Sequence, residues 1–174
     1  MRVLTTLMVS AVSCTATLAA LAVPAAAAST DPDNGGRHAV VKGRADLTGR
    51  QEVPGPGDRN GSGEFWFLIK HGTLCYSLNV RKIAKANAAH IHAGKRGKAG
   101  PVVVTLKTPL SKYPKGGSSK DCIKAKKHQT PKNADKVLTF RELALIALVP
   151  KNFYVNVHNR PFPDGAIRGQ LRHQ

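Results

Sequence analysis

The chain has 174 residues, 27 of them Lys or Arg against 10 Asp or Glu, for a formal net charge of +17. It is 41% apolar and 5% aromatic, with 16 Gly, 11 Pro and three Cys. This composition excludes a collagen-like chain and a cysteine-stapled miniprotein, and the length argues for one folded domain.

Residues 1–28 have the form of a secretory signal peptide. Arg2 supplies a short positive region, the chain is then apolar up to Val23, and Pro24 precedes an alanine run with cleavage choices near Ala28. Export to a secreted, extracellular location is expected, with no membrane span after cleavage. Residues 29–37 are polar and rich in turn-formers, so a disordered lead-in is expected there. The remainder, 38–174, is long enough to bury a core without needing a metal merely to fold.

Residues 38–47 are moderately apolar and fit a first strand, and 49–63, with two prolines and Asn60-Gly61, a long loop. Two short runs, 64–70 and 73–80, flank His71-Gly72 and predict a β-hairpin. In the second run Leu74, Tyr76, Leu78 and Val80 share one face, which leaves Cys75, Ser77 and Asn79 on the other. Residues 88–93 are a further strand candidate, followed by a basic glycine loop over 94–100. The three valines within 101–106 predict a buried strand. Thr139 and Glu142 form a capping box that opens a helix over 143–148, and Pro150 stops it. Strands over 153–158 and 166–171 close the chain, joined by a loop over 159–165. The predicted fold is all-β: an antiparallel, Greek-key-like β-sandwich with one short helix before the last two strands.

Residues 107–136 break this rhythm. They are rich in lysine, including Lys112, Lys115, Lys120, Lys124, Lys126 and Lys127, and carry Gly116-Gly117-Ser118-Ser119. A long excursion with a flexible tip is expected, tethered by Cys122. Its charge suits an anionic polymer or cell-envelope surface, or serves solubility alone. Only Tyr113 interleaves with the lysines, so a base-stacking nucleic-acid groove is not expected. Cys75 and Cys122 remain after cleavage. In an oxidising compartment the pair is most simply one disulfide, the alternative being two unrelated thiols.

Four ordered blocks are more specific: 47–54, 89–104, 153–159 and 163–171, with Ala89-His90-Ile91-His92-Ala93-Gly94 in the second. Together they resemble the CHRD domain, the module named after chordin, over roughly residues 38–172. The resemblance implies an exported domain acting as a non-enzymatic binding or structural module. It also places a cysteine pair at Cys75 and Cys122.

The histidines in these blocks raise a second reading. His90 and His92 share one strand face opposite Ile91. On the late strand, Phe153, Val155 and Val157 are assigned to the core, leaving Tyr154, Asn156 and His158 on the outer face. Ile167 and Leu171 likewise point in, and Arg168 and Gln170 out. A His-x-His with a distant third His is the minimum for a three-nitrogen copper or zinc site at His90, His92 and His158. In this respect the chain is similar to copper-zinc superoxide dismutase, another β-sandwich, although it lacks that family's zinc loop. The alternative is architectural: the imidazoles bond to backbone or to Asn156 and Asn159 and lock loops. Arg168 is a further candidate for anion contact, or a partner of Asp164. No nucleophile elbow, P-loop or dinucleotide fingerprint occurs, and no carboxylate pair can be nominated for glycoside hydrolysis.

Overall fold

The computed structural model describes residues 40–111 and 115–174. The proposed leader, the lead-in and Lys112 lie outside the described residues.

Among the described residues, nine strands form one continuous, curled sheet: β1 (Val41–Thr48), β2 (Ser62–Lys70), β3 (Thr73–Arg81), β4 (Ala86–Ala93), β5 (Val102–Thr105), β6 (Gly116–Lys124), β7 (Phe153–Asn159), β8 (Phe162–Gln170) and β9 (Arg172–His173). Their order is β5-β4-β7-β8-β1-β2-β3-β6, with β9 beside β1. All named pairings are antiparallel. The two halves meet at one registered pair, Thr48 with Arg168. Because β3 pairs with β6 and β4 with β7, the connections cross between halves, as a Greek key requires.

Period-two patterning places the core. Leu74, Tyr76, Leu78 and Val80 of β3 are buried, as are Phe65, Phe67 and Ile69 of β2. From the other half Ile91, Val104, Val155, Val157 and Ile167 join the same cluster. His71 and Gly72 turn the β2–β3 hairpin with φ of 49° and 69°. Positive φ at both central residues is what a two-residue turn needs to follow strand twist. The helix α1 (Phe140–Leu148) begins on the expected capping box: Thr139 accepts from the Glu142 N–H, and Glu142 accepts from the Thr139 N–H. It buries Leu143 and Ile146 and lies near the β2–β3 turn, where Phe140 approaches Gly72.

Three expectations change. The Gly-Gly-Ser-Ser segment is the start of β6, with Gly117 opposite Val80 and Ser118 opposite Asn79, so it is ladder and not a flexible tip. As an edge strand beside β3, β6 buries little apolar surface and lacks the alternation that would announce it. Cys122 therefore meets Cys75 as a direct cross-strand partner and not from a loop. The two form a disulfide with Cα atoms 4.0 Å apart. Finally, β8 starts at Phe162, so Pro163, Asp164 and Gly165 belong to the strand. The loop before it shrinks to a tight turn held by Asn159 Oδ1, which accepts from the Phe162 N–H.

Candidate metal centre

On the outer face of the half formed by β5, β4, β7 and β8, register aligns polar residues in rows. His90 lies opposite Asn156, and Asn156 opposite Arg168. His92 lies opposite Tyr154, and Tyr154 opposite Gln170, while His158 sits beside Ala88. The alternation assigned in the sequence is therefore correct in direction. What it does not contain is the cover over this face. Tyr154, Asn156 and Arg168 are buried, with Arg168 only 1% exposed.

Two connections supply that cover. Residues 94–100 fold back over the sheet through a turn in which the Lys98 N–H donates to the Lys95 carbonyl, with Gly97 at φ 73°. Arg168 Nη2 donates to the Lys95 and Lys98 carbonyls at 3.0 and 2.8 Å. Gln170 Nε2 donates to the Gly94 carbonyl, and the Gly100 N–H donates to the Tyr154 hydroxyl. The second connection follows β1: the Asp58 N–H donates to the Ala166 carbonyl, and buried Glu52 faces Gly165.

Within this layer one ring nitrogen from each of His90, His92 and His158 lies within 4.8 Å of the others. His90 Nδ1 and His158 Nε2 are 3.2 Å apart. That is a hydrogen-bond length, and it is also close to the edge of roughly 3.3 Å set by a tetrahedral centre with metal–nitrogen bonds of about 2.0–2.1 Å. Two backbone contacts orient the rings. His158 Nδ1 bonds to the Pro163 carbonyl at 2.8 Å, and His92 Nδ1 to the Gly100 carbonyl at 2.9 Å. A carbonyl only accepts, so both Nδ1 atoms carry the proton and both Nε2 lone pairs face the cluster. This outer bond to a carbonyl is the usual way in which a ligating histidine is held.

The electrostatics favour the neutral form that metals bind. Burial, then His158 and His92 as neighbours, lower His90 to about 4. Burial also lowers His92, against the Gly100 and Asn156 contacts that raise it. His92 Nε2 is buried and has no hydrogen-bond partner among the described residues. An orphaned buried acceptor costs about 1–3 kcal/mol, so it marks a place where a partner is missing. The His92 ring stacks on the Tyr154 ring with centroids 4.7 Å apart, and the Arg168 guanidinium lies over the Tyr154 ring at 3.4 Å from its centroid.

Of the other candidates, Lys115, Lys120, Lys124, Lys126 and Lys127 are all exposed on β6 and the chain around it. Arg168 does not belong with them. It is sequestered under the 94–100 loop and cannot serve as an open landing residue, and its charged neighbour is Glu52 instead of Asp164. Glu52 belongs to this layer as well, although its place in a proline-containing loop does not announce it. Burial raises its carboxyl to about 7, against Arg168 and a Val53 backbone bond that lower it. Its position in the 47–54 block was the available signal.

The structure thus defines an all-β antiparallel domain with a covered polar layer on one outer face. The family model for the CHRD domain matches residues 43–171, and the chain belongs to that family. No curated protein and no solved structure matches it. Among the described residues, no helix is long and apolar enough to cross a membrane.

Proposed function

We propose that this CHRD-domain protein is a secreted, non-enzymatic binding module whose built site holds copper or zinc through His90, His92 and His158. The observation that carries the reading is the convergence of three imidazole nitrogens within 4.8 Å of one another, with His92 Nε2 buried and without a hydrogen bond of good geometry among the described residues. Neutral imidazoles suit copper and zinc, whereas magnesium and calcium prefer oxygen ligands. Three protein ligands leave a coordination position for a small exogenous group. The test is elemental analysis of residues 29–174 after copper or zinc loading and exhaustive desalting. Wild type is expected to retain about one ion per chain, as a single three-nitrogen set implies. A His90→Ala/His92→Ala variant is expected to retain none while keeping its far-ultraviolet circular dichroism, with His158→Gln as a milder change on the half-exposed ligand. Wild type that retains no metal overturns the reading and leaves the histidines architectural.

A second partner is favoured by the exposed lysines around β6, which we assign to an anionic extracellular or envelope polymer. Counterion release then predicts retention on heparin or polyphosphate resin that weakens steeply with salt. Retention indifferent to salt would remove this partner.

A further inference from the structure

The 94–100 loop has a second face. Its carbonyls are turned inward: Gly94 accepts from Gln170, Lys95 and Lys98 from Arg168, and Gly100 from His92. With the backbone fixed on that side, the Lys95 and Arg96 side chains are exposed on the other. They line a pocket of about 590 Å³, together with Lys151 and Asn152 from the 3-10 turn Pro150–Asn152 and with Leu171 and Arg172. The Gly94 N–H donates to the Asn152 carbonyl, and Gln170 Nε2 also reaches the Lys151 carbonyl, so the walls are tied together.

Four cationic side chains line this pocket, and among the described residues no carboxylate does. Asp46 pairs with Arg172 from outside the lining and withdraws part of that one charge. Like charges gathered in one concavity repel each other, and a multiply charged anion converts that repulsion into attraction. Guanidinium forks match the paired oxygens of a phosphate, and lysines add point charges beside them. The volume exceeds what a lone carboxylate would fill, and the pinned loop spares a ligand the cost of ordering it.

We propose that this pocket is a site for a multiply charged phosphate ligand, either inorganic polyphosphate or a phosphodiester chain. The proposal does not rest on the metal centre, and it differs from the lysine-rich β6 surface in being concave and built on a fixed backbone.

The test uses isothermal titration of the folded chain, residues 29–174, with sodium tripolyphosphate, and with a glycerol phosphate oligomer and citrate in parallel. Arg96→Gln/Lys151→Gln is expected to weaken tripolyphosphate binding by at least about tenfold, since charge-assisted contacts are lost. Lys120→Gln/Lys124→Gln removes the same charge from β6 and is expected to change affinity by less than about twofold at moderate salt, because screening isolates distant exposed charges. All four positions are exposed, so both variants keep the fold, which thermal melting checks. Equal losses in the two variants would mean diffuse attraction and overturn the site. So would absence of binding to wild type, and citrate binding as tightly as tripolyphosphate would overturn the phosphate assignment. Tighter binding of the oligomer than of tripolyphosphate would identify the phosphodiester source.

Discussion

On β2 and β3 the outward residues Trp66, Leu68, Ser77 and Asn79 stay partly exposed, whereas on β7 and β8 the outward residues Tyr154, Asn156 and Arg168 are buried. Both pairs of strands obey the same alternation, and both supply apolar residues to one core. The first half leaves its outer face to solvent, where Arg44 lies over Trp66 at 5.3 Å and the disulfide crosses from β3 to β6. The second half is covered by the 49–58 and 94–100 connections. Covering a polar face withdraws water from it, so each group beneath must find a protein partner. Six buried side-chain atoms among the described residues have none, and five of them belong to the covered half: Glu52, His92, Asn156, Asn159 and Arg168. The sixth, Ser119, lies on β6. Each such group beneath the cover calls for an explanation that the solvated half does not require.

The largest expected effect separates the halves directly. Arg168→Ala leaves the Lys95 and Lys98 carbonyls without their donor, removes the cation facing Glu52 and opens a cavity against Tyr154. A loss of about 3–5 kcal/mol is expected from urea unfolding, the range for removing one partner of a buried charged network. Lys120→Ala, on the solvated half, is expected to fall within about 0.5 kcal/mol of wild type. Similar losses in the two variants would mean that the covered layer is no more integral than a surface charge.

The same contrast explains what could be read from residue order. Strands β2, β3, β4 and β7 and the capping box of α1 are legible because each carries its own signal: alternation, a two-residue turn, or Thr139 with Glu142. The convergence of His90, His92 and His158 follows from faces, because period two puts them on one side of strands that turn out to be neighbours. Edge strand β6 is not legible, since its identity lies in pairing with β3 and hardly in its own apolar content. Nor is the burial of Arg168. An arginine flanked by Ile167 and Gly169 looks outward-facing by alternation, and nothing local announces that a loop some seventy residues earlier in the chain will close over it. Cover is a long-range property, whereas the inward direction of an apolar residue is written in its own strand.

A pH series sharpens the comparison inside the covered layer. Glu52 has its folded carboxyl raised from 4.5 to about 7, so between those values the folded state binds more protons than the unfolded chain. Stability from this group is therefore present at low pH and is lost as pH rises through that window, by up to about 3 kcal/mol. His90 works in the opposite sense. Its folded value is lowered from 6.5 to about 4, so the unfolded chain binds the extra proton and stability falls as pH drops through that range. In metal-free wild type the Glu52 slope opposes those of His90 and His92 between pH 4.5 and 6.5, which flattens the rise of the urea midpoint with pH there. Glu52→Gln keeps the shape and removes one slope. The variant's midpoint is expected to climb with pH across that interval, with chelator present throughout to keep the histidines unligated. Parallel profiles for wild type and variant would show that Glu52 is not a buried proton-binding group, and the covered layer would then contain one cation, Arg168, without a titrating counterpart.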